Sequence, residues 1–270
     1  MPTASDARGR VRRRESAARA GRLAAHLLSL YTHARVVAPR TRRAEREILI
    51  RTLARRLLDV LAVRVRVTGA PLPSRGPLLL VANHVSWLDP YAINAVLAAR
   101  FVAKSEVAGW PVIGTIARGF DSLFIVRGSV CDAARTKDRM AEALRAGERV
   151  AVFPEGTTTD GRQVARFHTA LLQAAIDAGA SVQPIAIRYT DAAGRPSEAP
   201  VFVGDMTLAS SLGRVLATPE LHAHLTVGPA IPAAGWNRRE LAWLTRRCIA
   251  NALGHRDDAQ PPRPMRLRAA

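Results

Sequence analysis

A histidine and an aspartate, five residues apart, are the residues of this chain whose types and spacing best suit acid–base chemistry. They are His84 and Asp89, in the segment 81–90. On one ideal helix, residues five apart do not share a face. If a turn separates them, however, His84 can fold back onto Asp89. A carboxylate beside one ring nitrogen fixes the tautomer of a histidine and leaves the other nitrogen to take a proton from a hydroxyl.

The flanking residues predict such a turn. Residues 78–81 are a short apolar run that is typical of a buried strand. Pro90 is favourable as the first residue of a helix, and we expect Asp89 to be the N-cap of a helix that extends to about Ala99. His84 and Asp89 also have an interpretation without catalysis. A histidine in such a turn can simply hydrogen-bond the loop, and a capping role already explains the carboxylate.

The composition is that of an ordinary globular protein, except for its charge. The 270 residues are 48% hydrophobic and 23% charged, which suits one α/β domain with a full core. The formal net charge of +18 comes mainly from arginine and would attract nucleic acid, an anionic membrane or an acidic protein. Cys131 and Cys248 lie far apart, so we expect free thiols in a reducing compartment and no bound metal.

Charge and periodicity divide the chain into four regions. We expect a disordered basic tail (1–19), a pair of amphipathic helices (20–61), the main domain (62–254) and a flexible tail (255–270). The helical pair either lies on an anionic membrane surface or packs on the main domain.

Strands alternate with helices through the main domain, which predicts an α/β fold. We expect a single domain with a mixed, largely parallel sheet flanked by helices, preceded by the amphipathic pair. The glycines and the proline of residues 108–119 predict a bent loop.

No apolar run approaches the ~20 residues that span a bilayer, and the chain has no clear signal peptide. We therefore expect a protein that stays in the cytoplasm or lies, as a peripheral or monotopic protein, on the cytoplasmic face of the inner membrane.

Four segments stand at the ends of predicted strands, where open α/β sheets bind ligands. In order they are Asn83-His-Val-Ser-Trp-Leu-Asp89, Leu123-Phe-Ile-Val-Arg127, Phe153-Pro-Glu-Gly-Thr157 and Val182-Gln-Pro-Ile-Ala-Ile187. This ordered set resembles the glycerolipid acyltransferase family, which includes the 1-acylglycerol-3-phosphate acyltransferases. The hallmarks of that family are an Asn-His-x4-Asp block, a block ending in Arg, a Phe-Pro-Glu-Gly block and a later strand with a proline. The likeness covers about residues 63–231.

The resemblance implies a lysolipid O-acyltransferase of lipid biosynthesis. It needs no cofactor, because acyl-ACP (acyl carrier protein) or acyl-CoA is the co-substrate. His84 would be the general base that deprotonates the acceptor hydroxyl, and Asp89 would orient it. Arg127 would bind an anionic head group, with a lesser contribution from Lys104. The residues that would shape the acceptor site are Phe153, Glu155, Gly156 and Thr157.

One departure from the family pattern concerns the acceptor. Enzymes of the lysophosphatidate type usually carry a basic residue where this chain has Thr158. A threonine offers a phosphate one neutral hydroxyl, whereas an arginine pairs with it bidentately. The expected acceptor is a lysolipid of the 1-acyl-sn-glycerol-3-phosphate type, and lyso-ornithine lipid is the alternative.

Two other classes of function stay open at this point. A basic nucleic-acid-binding protein agrees with the charge, but aromatic residues make up 5% of the chain and no zinc spacing or helix-turn-helix pattern is evident. We therefore expect no nucleic acid partner. A hydrolase would use the same His84 and Asp89 with water in place of the acceptor hydroxyl.

Overall fold

The apolar run before His84 forms the central strand of a mixed sheet. The computed structural model describes residues 4–73, 76–126 and 128–256. The strands in these ranges are β1 (Val63–Gly69), β2 (Leu78–Ala82), β3 (Arg100–Lys104), β4 (Leu123–Ile125), β5 (Arg149–Val152), β6 (Ser181–Asp191), β7 (Leu221–Val227) and β8 (Ile231–Pro232). Their order is β1-β7-β6-β2-β5-β3-β4, with β8 beside β6. Strand β6 is antiparallel to β7 and to β8, and the other neighbouring pairs are parallel.

Helices cover both faces of the sheet. They are α1 (Ala4–Thr32), α2 (Arg43–Val60), α3 (Asp89–Val96), α4 (Ser105–Ala108), α5 (Ile113–Gly119), α6 (Val130–Arg145), α7 (Gln173–Asp177), α8 (Leu208–Ala217) and α9 (Arg238–Leu253). Successive residues of a strand point to opposite faces. Leu78 and Leu80 of β2 pack with α1, α2, α3 and α8, while Leu79 and Val81 pack with α6, α7 and α9. The predicted fold class is therefore confirmed, and the double burial explains the continuous apolar run.

The first helix begins much earlier than the sequence predicts. Helix α1 starts at Ala4, so the described part of segment 1–19, which we expected to be disordered, is helical. Arginine and alanine are strong helix formers. The guanidinium of Arg19 also donates hydrogen bonds to the carbonyls of Thr218 (2.7 Å) and Pro219 (2.8 Å), just beyond the end of α8. A cation is favourable at a helix C-terminus, so this contact secures α1.

The expected pair of N-terminal helices is present, but its main apolar stripe faces the domain. Helix α1 continues through a π-helical turn (His33–Val37) and a 3-10 turn (Ala38–Arg40) before α2 begins. Leu53, Leu57 and Leu58 of α2 are buried in the core. The stripe that suggested membrane contact thus packs on the protein itself. Among the residues of this pair whose burial is described, the large apolar side chains that stay exposed are Leu28, Tyr31, Val36 and Ile48.

None of the described helices is both long and apolar enough to cross a membrane. The last one, α9, is capped by Gly254 in the left-handed conformation that glycine adopts without strain. Of the expected flexible tail, 255–270, residues 257–270 lie outside the described ranges.

Residues 108–119, which we expected to form a bent loop, contain the short helix α5. The glycines there allow close packing. A Cβ on Gly114 would lie 2.3 Å from the carbonyl oxygen of Ala108, and one on Gly119 would lie 2.4 Å from the Cβ of Ala34. Helix α5 therefore rests directly on the π-helical turn that follows α1.

This contact predicts that Gly119→Ala destabilises the protein. The added methyl group would overlap Ala34, and overpacking of this kind costs about 1–3 kcal/mol. Gly213→Ala on α8 is the matched control, because a Cβ there would meet nothing within 4 Å. The control should raise stability by about 0.5–1 kcal/mol, since alanine favours helix more than glycine does. Urea denaturation of both variants measures the difference, and equal effects would contradict the packing of α5.

Candidate active site

The side-chain amide of Asn83 determines how β2 ends. Its Nδ2 donates a hydrogen bond to the carbonyl of Ile187 (2.9 Å), and its Oδ1 accepts one from the N–H of the same residue (2.7 Å). The side chain thus continues the pairing of β2 with β6 beyond the last backbone pair, Ala82 with Ile185. His84 follows at the edge where the parallel strands end, which is where α/β sheets bind ligands.

The carboxylate of Asp89 holds the turn that follows. Its Oδ2 lies 2.8 Å from Nδ1 of His84 and accepts hydrogen bonds from the N–H groups of Val85 (2.7 Å) and Ser86 (2.9 Å). Its Oδ1 accepts a hydrogen bond from the hydroxyl of Tyr189 (2.7 Å). Asp89 is fully buried, and these donors offset the cost of burying its charge. The turn therefore brings His84 back onto Asp89, as the sequence predicts.

Asp89 is not the N-cap of α3, contrary to our expectation. It is the first residue of the helix, and Leu88 occupies the cap position without a side-chain hydrogen bond. A capping carboxylate accepts from the first turn of its own helix. The carboxylate of Asp89 instead points back to the turn before the helix, because that turn occupies Oδ2 and the hydroxyl of Tyr189 occupies Oδ1. Helix α3 also ends at Val96, short of Ala99.

The imidazole of His84 is held between Asp89 and Phe153. The Phe153 ring stacks on it with centroids 4.0 Å apart and planes inclined by 10°. Because Nδ1 faces a carboxylate, it carries a proton, and Nε2 is the nitrogen that can accept another. The side chain of His84 is 20% exposed, so a ligand can reach it.

Glu155 connects two loops through its buried carboxylate. Oε1 accepts a hydrogen bond from the N–H of His84 (2.7 Å), and Oε2 accepts one from the N–H of Ala165 (2.8 Å). Burial raises the pKa of Glu155, and the two hydrogen bonds lower it to a smaller extent. Both oxygens are occupied by backbone donors, so Glu155 shapes the site by supporting His84.

Gly156 is required by its own backbone and by a neighbouring side chain. Its φ of 73° lies in the left-handed region that favours glycine. A Cβ there would lie 2.9 Å from Cδ2 of His168. The family resemblance implies that Gly156 helps to shape the acceptor site, but its backbone conformation and this local packing are enough to explain a glycine here. Thr157, the next residue, is exposed on the same loop.

The structure describes one of the two candidate cations. Lys104 is the last residue of β3 and is exposed. Because β3 runs parallel to β5, Lys104 lies at the same edge of the sheet as Phe153. Arg127 lies outside the described residues.

Two residues of the site, Thr159 and Tyr189, were not predicted from the sequence. Thr159 donates hydrogen bonds to the carbonyl of His84 from its N–H (2.8 Å) and from its hydroxyl (3.3 Å). Tyr189 lies two residues beyond the segment 182–187, and no local pattern indicates which group its hydroxyl meets. Burial, together with the charge and hydrogen bond of Asp89, raises the pKa of Tyr189 well above its usual value. Tyr189 is therefore a protonated donor.

Known proteins resemble this chain in sequence and in fold. The family model described as Acyltransferase matches residues 64–188. A lyso-ornithine lipid O-acyltransferase of Pseudomonas aeruginosa is 41% identical over 77% of this chain and 79% of its own length. A 1-acyl-sn-glycerol-3-phosphate acyltransferase of Neisseria meningitidis is 38% identical over 63% of this chain and 66% of its own. The crystal structure of the 1-acyl-sn-glycerophosphate (LPA) acyltransferase PlsC from Thermotoga maritima shares the fold, with a TM-score of 0.60 and 22% identity over 87% of this chain and 96% of that one.

The contacts of Glu155 predict that Glu155→Gln destabilises the protein. The variant would place an NH₂ group opposite one of the two backbone N–H groups and leave that buried donor unpaired, which costs about 1–3 kcal/mol. Glu142→Gln on the exposed side of α6 is the matched control, with an expected change within about 0.5 kcal/mol. Thermal unfolding at neutral pH compares the two. A Glu155→Gln variant as stable as the control would show that the carboxylate does not hold these loops.

Proposed function

Because this chain belongs to the acyltransferase family, we propose that it moves a fatty acyl group from a carrier thioester to the free hydroxyl of a lysolipid. The observation that carries the proposal is the contact of His84 Nδ1 with Asp89, which leaves Nε2 of a partly exposed ring available. The names of the relatives support a lysolipid as acceptor, since one acts on lyso-ornithine lipid and another on 1-acyl-sn-glycerol-3-phosphate.

In this proposal His84 is the general base. Its Nε2 takes the proton of the acceptor hydroxyl while the hydroxyl oxygen attacks the carbonyl carbon of the thioester. The C–S bond then breaks, and the departing thiolate receives the proton from the imidazolium. The products are the acylated lipid and the free thiol of the carrier, without an acyl-enzyme. A positioned base contributes about 10²–10⁴-fold to a rate.

Asp89 stabilises the imidazolium that forms on His84. Its carboxylate is already fixed by hydrogen bonds before a substrate binds, so its charge needs no reorganisation during the reaction. Phe153 limits rotation of the imidazole through stacking. Ser86 does not suit the role of a nucleophile, because it is fully buried and its Oγ accepts a hydrogen bond from the N–H of Leu88.

The acceptor belongs to one of two chemical types. Relatives that act on lyso-ornithine lipid and on 1-acyl-sn-glycerol-3-phosphate support the two types equally. Thr158 offers only a neutral hydroxyl at a position where phosphate-type enzymes usually have a cation, which weakens the case for phosphate. Lys104 and, by resemblance, Arg127 would supply the positive charge for an anionic group. The exposed hydroxyl of Thr157 would add a neutral contact.

The donor in this proposal is acyl-ACP or acyl-CoA. Both carriers are anionic, and the net charge of +18 on this chain would attract either of them. No further cofactor enters the reaction.

We also propose that the protein binds the cytoplasmic face of the inner membrane peripherally. Exposed apolar side chains support this, namely Leu28, Val36 and Ile48 on the N-terminal pair and Trp110 and Val112 before α5. Helix α5 packs on the π-helical turn that contains Val36, so the two groups belong to neighbouring elements. Tryptophan favours the membrane interface, and each nearby arginine adds about 1 kcal/mol on an anionic surface.

Loss of the imidazole tests the proposed function. We expect His84→Ala to slow acyl transfer from acyl-ACP or acyl-CoA by at least about 10²-fold, because the general base is removed. Asp89→Asn should also slow it strongly, since the imidazolium loses its counter-charge. The assay measures transfer to lysophosphatidate and to lyso-ornithine lipid. His33→Ala, in the turn after α1, is the control and should transfer at the rate of the parent.

The same assay distinguishes the alternatives. Equal rates in His84→Ala and the parent would show that His84 is not the base. Release of free fatty acid without transfer to either lipid would indicate a hydrolase. The acceptor that the parent prefers identifies the head group.

A further inference from the structure

A buried tyrosine outside the sequence motifs contacts the catalytic pair. Tyr189 of β6 is 5% exposed, and its hydroxyl donates a hydrogen bond to Oδ1 of Asp89 at 2.7 Å. The other oxygen, Oδ2, is shared by His84 and two backbone N–H groups of the turn. Tyr189 thus binds the oxygen of Asp89 that His84 does not use.

The sheet fixes this tyrosine in place. Residues two apart in a strand share a face, so Tyr189 points to the same side as Ile187, whose backbone is bound by Asn83. The neighbour of Tyr189 on β7 is Ala223, which is small and also buried. The pairing of β6 with its neighbours therefore determines both where the phenol ring lies and where β2 ends before His84.

A hydrogen bond to a carboxylate stabilises its negative charge in place. The charge that Tyr189 holds on Oδ1 is less available to stabilise a proton on His84. Without this donor, the charge of Asp89 would hold the imidazolium more tightly.

We propose that Tyr189 is a positioning residue that sets the pH at which His84 can act as a base, by competing for the charge of Asp89. This inference rests on the proposed function, because it requires His84 to be the base. Among the described residues, Glu155 is a further titratable group in contact with the pair, since it accepts a hydrogen bond from the N–H of His84. His168 lies next to Gly156. Asp89 is the charged group that acts on Tyr189.

The pH dependence of kcat/KM in Tyr189→Phe tests this inference. We expect the acidic limb of the profile to move to higher pH by about 0.5–1 pH unit, because a hydrogen bond to a charged group is lost. Tyr91→Phe on α3 is the matched control. It removes the hydroxyl of a partly buried ring that packs edge-on against Trp87, and it should leave the acidic limb in place. If the role of Tyr189 were purely structural, Tyr189→Phe would lower kcat/KM without moving the acidic limb of the profile.

A stronger hydrogen-bond donor at position 189 should shift the acidic limb in the opposite direction. This second test does not require the Tyr189→Phe variant to fold. The chain has three tyrosines, so 3-fluorotyrosine incorporated into a Tyr31→Phe, Tyr91→Phe variant labels Tyr189 alone. Fluorination makes the phenol more acidic and its hydrogen bond to Asp89 stronger. We expect the acidic limb to move to lower pH than in the same variant with ordinary tyrosine.

The outcomes separate this inference from the proposed function. Full activity of His84→Ala would overturn both. If neither Tyr189→Phe nor fluorination moves the acidic limb from its position in the parent, only the inference about Tyr189 is overturned. A limb that moves to lower pH in Tyr189→Phe would also overturn it, because the tyrosine would then strengthen the effect of Asp89. Opposite shifts in the two experiments, as described, would support it.

Discussion

The fully buried carboxylate of Asp89 is the constraint on which the rest of the site depends. A charge removed from water must meet hydrogen-bond donors, or its burial would cost several kcal/mol. Three donors come from its own turn, on His84, Val85 and Ser86, and the fourth is Tyr189, 100 residues later in the chain. The donors of the turn and Tyr189 of β6 can therefore reach Asp89 together only if β2 and β6 pair in one particular register. The parallel pairing of β2 with β6 provides that register.

Other residues hold the backbone and the ring of His84 in place. Its N–H is bound by Glu155, its carbonyl by Thr159, and its ring stacks on Phe153. Asn83 connects the preceding residue to β6. Because both sheet faces are covered by helices, these loops stand on a rigid base. A reacting group held in this way needs little reorganisation when the proton moves, and much of the catalytic advantage of an enzyme comes from such preorganisation.

Local patterns predict the parts of this protein that local chemistry determines. The α/β class, the buried strand before the turn and the return of His84 onto Asp89 follow from apolar runs and from a proline. Tyr189 was not predictable, because its partner depends on strand order rather than on nearby residues. The segment 4–19 was wrongly expected to be disordered, because the sequence does not show that Arg19 docks on the carbonyls after α8. The cap assignment of Asp89 was wrong because the turn competes for its carboxylate.

The proton on the imidazole of His84 provides the most direct test of the central claim. Nitrogen-15 NMR of protein labelled at the histidine rings, with His84→Ala for assignment, shows which nitrogen carries it. We expect the neutral ring to carry its proton on Nδ1, bound to Asp89, and to take the second proton on Nε2 as the pH falls. A neutral ring protonated on Nε2 would contradict the claim, since that nitrogen could not accept a proton from an acceptor hydroxyl.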